Sequence, residues 1–525
     1  MSCSERGLPG SGFPGSLVCA LVVVIIPQQV QMNHKAYFNE VTPPARRSLL
    51  YAGFAVLLLI AFLLRLYGYL NYPSIHHPDE LYQYLEQAHR TTFGYGIIPW
   101  EYREGTRSWL LPGSLAGLMW LSDILGFSSP DAYLLLIAAV LAALSLSVVI
   151  TGFLWAYRTQ GIVAAFITAT LCSTWFELVY FAPKSLTEVV AAHLLVIAVY
   201  LVWPGRPVTN WRRFFIAGLV FGLVVSLRVH LAPALLVAAV YACRFDSRKK
   251  WVPLVAGGVL MMLLAGLLDA WTWDYPFQSL LANIWVNIVE KKSHFYGVES
   301  WSFYIRKWLD IWGLAVVPMA FLSLLAMRRN VLLGLVPAVI VLTHMLFAHK
   351  EYRFVFPAVP FVIILAGLGT AQMFAALQEV IKRHLTAGVA LAGITLAWVV
   401  LSAVLATSDA FRYNWFLRRD AIDAYAFLQN REDLCGVGLS GVSWLFTGGY
   451  THLHRDVPII IPVYADELLS FAYNYVLANP GTFADADFAP LRCWDGENFC
   501  VYRRDGPCQQ ARGMEANEVL MFLGE

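Results

Sequence analysis

Charge is scarce in this chain. Charged residues make up 14% of its 525 positions, and 37 Lys+Arg nearly cancel 35 Asp+Glu to leave +2. So small an excess, with no basic stripe interleaved with aromatics, argues against nucleic acid as a partner. Histidine is sparse, at 12, and cysteine sparser, at 8. No CxxC pattern occurs, which removes the usual cysteine framework for zinc. There is also no internal repeat and no coiled-coil heptad.

Apolar side chains are what the chain has in excess: 58% of residues are hydrophobic, with a mean hydropathy of +0.59. A soluble globule cannot cover that much apolar surface, so the bilayer is the first partner. A span takes roughly 20 apolar residues, and about eleven segments qualify. They lie near 49–70, 132–155, 161–181, 187–203, 214–227, 229–243, 251–273, 309–326, 330–348, 353–376 and 386–407. The pair from 214 to 243 is short for two spans, and 113–127 reads as re-entrant or interfacial. The expected fold class is an all-α polytopic membrane protein with a small C-terminal α/β extramembrane domain.

Sidedness follows from the short basic loops. A cytoplasmic N-terminus puts Arg46, Arg47, Arg158, Arg206, Arg212, Arg213, Arg244, Arg248, Lys249, Lys250, Arg328, Arg329, Lys382 and Arg383 inside. It sends the 71–112 and 274–308 loops, the His349 to Arg353 turn and everything after about 408 to the other face. Residues 1–45, with only a ten-residue apolar run from Leu17 to Ile26, read as a disordered extension, Met32 being the favoured start. Residues 46–407 form the membrane domain. Residues 408–525 form a non-cytoplasmic domain, with Val457 to Val463 as strand and Ala421 to Leu428 as helix. Its Cys435, Cys493, Cys500 and Cys508 suit one or two disulfides of open pairing.

The unusual residues gather in the outer loops. The first carries His76-His77-Pro78-Asp79-Glu80, Glu86, His89-Arg90, Phe93-Gly94-Tyr95-Gly96, Trp100-Glu101 and Arg107-Ser108. A helix starting after Pro78 turns Asp79 and Glu80 about 100° apart, so one faces a substrate while the other serves structure. Partial desolvation suits such a carboxylate to general-base work. Adjacent acids also favour a helix N-terminus through its dipole alone; the histidines and Trp100-Glu101 shift the reading toward chemistry. Metal ligation by His76, His77 and His89 is not adopted. The second loop, with Phe295-Tyr296-Gly297, Trp301 and Tyr304, suits sugar stacking or an interfacial aromatic belt. His349-Lys350-Glu351-Tyr352-Arg353-Phe354 offers cations for a phosphate or snorkelling anchors. Arg228 and His230 stand at the turn of an apolar hairpin, where a lone cation is costly.

In this order the three motifs resemble those of the glycosyltransferase 22 family, the polyprenol-linked mannosyltransferases of glycosylphosphatidylinositol-anchor and N-glycan assembly. The first loop is most similar to the third mannosyltransferase of the anchor pathway. The resemblance implies a GT-C fold whose active site lies at the non-cytoplasmic face. The implied donor is dolichyl or polyprenyl phosphate mannose, with no metal or other cofactor. Asp79 is implied as base with Glu80 as rival; Arg353, Lys350, His349 and Arg228 would hold the donor phosphate. Trp100, Tyr95 and Tyr296 would shape the sugar and acceptor sites, and His77 and Arg107 complete the substrate-binding set. A phosphate leaving group needs no general acid, so one carboxylate and a few cations suffice for inverting transfer. The acceptor stays open among a glycolipid, a lipid-linked oligosaccharide and an envelope glycan. The compartment is the endoplasmic reticulum membrane for a eukaryotic chain and the cytoplasmic membrane for a bacterial one. Another donor sugar is the alternative. A transporter is disfavoured because, apart from Glu177, Glu188, His193 and Asp269, the informative polar residues lie at one face.

Overall fold

The computed structural model describes residues 44–205, 210–381, 386–461, 472–483, 488–494, 496, 499–508 and 515–523. Residues 1–43 of the N-terminal extension, with Arg206, Lys382 and Arg383, lie outside them. The chain forms two compact units, Met1–Gly53 and Phe54–Glu525, the second holding the helical bundle, its loops and the tail.

Each apolar segment of the sequence is helical, but the helices differ in length. Among the described residues six are long and apolar enough to cross a membrane: Leu50–Asn71, Pro130–Gln160, Arg248–Thr272, Phe303–Met327, Tyr352–Gln378 and Ala387–Ala406. Shorter apolar helices fill the rest, among them Leu110–Ile124, Ile162–Thr174, Thr187–Val202 and Val331–Met345. At 1.5 Å per residue these fall short of a hydrocarbon core of about 30 Å, so the count of about eleven full spans is not matched by length alone. Thr187–Val202 tolerates its shortness because it is buried by protein almost throughout. Tyr352–Gln378 is the bundle's central helix, with 89% of its most apolar window buried, against 22% for Ala387–Ala406, whose Leu396, Val400 and Val404 are left as an apolar outer face. Where Trp211–Leu227 crosses Arg248–Thr272, a Cβ at Gly218 would collide with the Leu254 carbonyl. Glycine there lets the two backbones touch.

One cation is buried inside the bundle. Arg65 is fully covered, and its guanidinium donates to Ser145 Oγ at 2.7 Å and to the carbonyls of Ala61, Ser173 and Cys172 at 2.8, 3.1 and 3.1 Å. The Cys172 and Ser173 carbonyls end the helix Ile162–Thr174, so the charge caps a break in the bundle.

The tail builds a five-stranded sheet in the order β2-β1-β3-β5-β4: β1 Val437–Ser440, β2 Ile459–Ile460, β3 Tyr475–Ala478, β4 Phe488–Trp494 and β5 Phe499–Arg504. β1 runs parallel to β2 and β3, and β5 antiparallel to β3 and β4. The expected strand at 457–463 is only the two-residue β2, and residues 462–471 fall outside the described set. The helix expected at 421–428 runs Arg419–Gln429. Disulfides join Cys435 to Cys508 and Cys493 to Cys500.

This tail is docked onto the first loop through a buried carboxylate. Glu86 is fully buried, and its oxygens accept from Ile97 N at 3.0 Å, Tyr450 N at 3.0 Å, Thr451 N at 2.9 Å and Thr451 Oγ1 at 2.6 Å. Burial pushes the Glu86 carboxyl up, and these four donors work against that rise. Gly449 lies beneath it at φ 58°, where a Cβ would stand 2.6 Å from Glu86 Oε2. Asn517 adds a second clasp, accepting from Ile98 N at 2.8 Å and donating to the Gly96 carbonyl at 3.0 Å. Tyr133 Oη donates to the Thr451 carbonyl at 2.5 Å. Glu86→Ala strands three buried backbone donors and is expected to destabilise the protein by about 3 kcal/mol. Gly449→Ala, which pushes on the same carboxylate, should also lower the Tm of the purified protein and expose the tail to protease. Unchanged melting and proteolysis in both variants would show that the tail is held elsewhere.

Candidate active site

The loops and the tail enclose a cavity of about 850 Å³ lined by His77, Asp79, Gln83, Trp100, Glu101, Arg107, Arg228, Tyr296, His349, Lys350, Glu351, Arg353 and, from the tail, Trp444 and Leu445. After Pro78 the chain winds as a π-helix over Glu80–Leu85, which sets Asp79, Tyr82 and Gln83 on the cavity wall.

Glu80 turns the other way. Its Oε2 accepts from His76 N at 2.7 Å, and Oε1 stands 3.9 Å from the Lys184 ammonium, all behind the wall. Adjacent in sequence, the two acids thus divide into one that faces the cavity and one that ties the loop down.

Arg353 is the hub of the wall. Its guanidinium meets three carboxylates: Nη2 to Asp79 Oδ2 at 2.6 Å, Nη1 to Glu188 Oε1 at 3.2 Å and Nε to Glu351 Oε2 at 2.5 Å. The sequence reading put Arg353 on the donor phosphate; in the structure each of its three guanidinium nitrogens is paired to a carboxylate oxygen. Arg228 shares Glu188, with Nη2 at 2.6 Å from the same Oε1, and both guanidinium carbons lie 5.1 Å from the centre of the Phe354 ring. His77 accepts from Asp79 N at 3.2 Å through Nδ1 and brings Nε2 within 3.4 Å of Glu351. His349 is held between the Gly297 carbonyl and Glu351 Oε1, each at 3.0 Å.

The electrostatics follow from these pairs. Burial pushes the Asp79 carboxyl up, but Arg353 and then His77 more than reverse it and hold it well below the usual carboxylate range. Asp79 is therefore ionised at any working pH. Burial likewise opposes Arg353, His349 and His77 at Glu351, and the cations again win. The hydrogen bond to Glu351 raises the His349 imidazole above its ordinary value. Lys350 is 6% exposed, and its ammonium donates to the carbonyls of Glu299, at 3.0 Å, and Phe347. An ammonium has three protons, so one is left for a ligand.

The aromatic side of the cavity is a built wall as well. Trp100 Nε1 donates to Tyr296 Oη at 2.9 Å, and the Lys292 ammonium lies 3.6 Å from the Trp100 ring centre. Tyr95 is not part of it: its ring packs edge-on against Tyr450 and His89 in the joint between loop and tail. Arg107 is present, donating through Nε to Gln83 Oε1 at 2.9 Å. Sequence reasoning left Glu351 and Gln83 without a role; Glu188, near a span end, read equally as a mid-membrane exception or as part of the outer site, and it stands with Arg353 and Arg228. A carboxylate beside two motif cations was the available signal for Glu351. Among the described residues no group of three His, Cys, Asp or Glu side chains is placed to hold a metal ion.

Residues 56–435 match the model of the Alg9-like mannosyltransferase family. The chain belongs to that family. The mannosyltransferase is 26% identical over 412 residues to GPI mannosyltransferase 3 of Yarrowia lipolytica, covering 77% of this chain and 76% of that one. It is also 26% identical to GPI alpha-1,2-mannosyltransferase 3 of Danio rerio, with 56% of each chain covered, so it spans little more than half the length of that relative. A solved structure of ArnT from Cupriavidus metallidurans bound to undecaprenyl phosphate superposes with a TM-score of 0.55 at 11% identity, over 88% of this chain and 98% of that one. The mannosyltransferase therefore has the GT-C fold, and is a multi-pass membrane enzyme.

If Arg353 sets the charge of Asp79, Arg353→Lys leaves one ammonium to serve three carboxylates with a poorer fit. The acid limb of kcat/KM should move up by at least about one pH unit as the Asp79 carboxyl rises toward its ordinary range. A pH profile of mannosyl transfer checks this, and an unmoved acid limb would show that Asp79 is not the group that titrates.

Proposed function

We propose that the enzyme moves mannose from a dolichyl or polyprenyl phosphate donor to a hydroxyl of a glycolipid acceptor, by a single inverting displacement at the non-cytoplasmic face. One observation carries this reading: a carboxylate, Asp79, fixed by Arg353 on the wall of a cavity that also presents the Lys350 ammonium with a proton the protein does not take. Asp79 takes the proton of the acceptor hydroxyl as that oxygen bonds to the anomeric carbon. The bond from that carbon to the phosphate oxygen breaks, and its electron pair leaves with the phosphate. Lys350 and Arg228 stabilise the departing charge, with Lys291 and Lys292 beside the same cavity. The reaction so written draws on no metal or other cofactor.

Several facts support the sidedness and the substrates. The positive-inside pattern leaves the cavity loops outside. Two disulfides in the tail fit an oxidising compartment. The neighbouring fold is that of a protein bound to undecaprenyl phosphate, and the named relatives act on GPI precursors as mannosyltransferases. A mannoside of such a glycolipid, in the endoplasmic reticulum membrane, is the acceptor we assign.

The test is transfer of radiolabelled mannose from polyprenyl phosphate mannose to glycolipid acceptors by the purified protein. Asp79→Asn should lower kcat about a thousandfold. Glu80→Gln should lower stability while transfer by the folded fraction stays within about tenfold, because Glu80 lies behind the wall. Loss in Glu80→Gln with activity kept in Asp79→Asn would reverse the assignment, and inactivity of the unmodified enzyme with every mannosyl donor would end it.

A further inference from the structure

The cavity holds a second carboxylate that the transfer step leaves unused. Glu101 sits in the short helix Trp100–Arg103, is 7% exposed and lines the same space as Asp79. One of its oxygens is tied down: Oε1 accepts from Gln83 Nε2 at 2.6 Å, with Arg107 Nη2 at 3.9 Å. The Gln83 amide cannot turn over, because its oxygen takes the Arg107 Nε proton at 2.9 Å. Backbone bonds fix both partners, from Tyr102 Oη to the Gln83 carbonyl and from Thr106 N to the Glu101 carbonyl, each at 2.8 Å. Among the described residues no other side chain bonds Oε2; the carboxylate's one further contact is with its own backbone N–H.

A carboxylate braced at one oxygen and open at the other is an acceptor for a ligand hydroxyl. Its ligand is not the phosphate, since like charges repel. It shares the cavity with Asp79, whose charge acts on it. Beside it stands Trp100, whose indole is pinned by Tyr296 and carries the Lys292 ammonium 3.6 Å from its ring centre, which leaves at most the opposite face for a sugar ring. An apolar ring next to an open carboxylate oxygen is the pairing that receives a pyranose, one face on the ring and a hydroxyl on the oxygen.

Resting on the mannosyl-transfer reading, we propose that Glu101 is the acceptor-recognition residue: its Oε2 accepts from the sugar hydroxyl adjacent to the one that reacts, and so aims the reacting hydroxyl at Asp79. Burial, opposed by Arg107 and reinforced by Asp79, pushes the Glu101 carboxyl up to about 7, so its capacity as a pure acceptor is lost as pH falls through neutrality. Glu101→Gln is the informative change. The new amide keeps an oxygen for Gln83, which forces its NH2 into the place of Oε2 and puts a donor where an acceptor was.

The experiment uses the full-length enzyme, polyprenyl phosphate mannose, a mannoside glycolipid and its analogue lacking the hydroxyl adjacent to the reacting one. Expected are a rise of at least about tenfold in acceptor KM for E101Q together with a fall in kcat, while donor KM stays within about twofold. The unmodified enzyme should reject the deoxy analogue by a similar factor, and E101Q should no longer distinguish the two acceptors. Acceptor KM should rise below about pH 7 in the unmodified enzyme only. A raised donor KM in E101Q, or the same pH dependence in both proteins, overturns the proposal. So does equal use of the two acceptors by the unmodified enzyme, a result that needs no folded variant. Failure of the unmodified enzyme to transfer mannose at all is a separate outcome that sinks the transfer reading itself.

Discussion

The wall of the cavity depends on one guanidinium. Arg353 draws together carboxylates from three places in the chain, Asp79, Glu188 and Glu351, at 2.6, 3.2 and 2.5 Å. Without it, three negative charges would face one another in a poorly hydrated space, where repulsion and desolvation both work against ionisation. With it, Asp79 and Glu351 are held well below the usual carboxylate range, and Arg228 joins it on the same Glu188 oxygen. Register follows from the same contact: the start of the first loop, the start of Thr187–Val202 and the entry to the central helix Tyr352–Gln378 are fixed to one another at this point. Glu188 also stands in the first turn of its helix, where an acid is favoured by the dipole.

A loop held only at Asp79 would still swing at its other end. The tail prevents this. Glu86, the first residue after the π-helix, is gripped by backbone N–H groups on both sides of the joint, and Tyr82 Oη donates to the Trp444 carbonyl at 2.6 Å. His89 meets His454 at 3.0 Å a further turn along. The residues between, Tyr82 and Gln83, are the ones that line the cavity, so the loop is clamped on both sides of its working stretch. The tail also contributes Trp444 and Leu445 to the cavity itself, and the small sheet is therefore part of the site and not an appendage.

The membrane class and the position of the helices were readable because both rest on local composition: a run of apolar residues is apolar whatever surrounds it. Helix length was less readable, since Thr187–Val202 is short for a reason, burial by neighbours, that lies outside its own sequence. The motifs marked the right loops, but roles within them turned on pairings of very distant residues. Asp79 and Glu80 are adjacent acids, and only the partners, Arg353 for one and Lys184 with His76 N for the other, separate them. Arg353 read as a phosphate ligand because a free arginine at a membrane edge suits that task; three acids gathered from elsewhere take the fork instead. Tyr95 and Glu86 belong to a joint with residues more than 300 positions later, a contact that no local pattern announces. Arg65 went unremarked inside an apolar run, where its partners are carbonyl oxygens common to every residue.

The ion cluster also bears on how the proposed transfer balances its charge. Before reaction Asp79 is an anion held by Arg353. As the acceptor proton passes to Asp79, the cluster loses one negative charge and is left more positive by one unit. At that moment the phosphate leaving the sugar gains one. The two changes occur across a single cavity walled by protein, where such interactions are stronger than in bulk water. A base held ionised by a fixed cation thus does two things in one step: it removes the proton, and it uncovers positive charge as the leaving group becomes more negative. An acid of ordinary pKa with no cation behind it would be the stronger base, but it would release no such field.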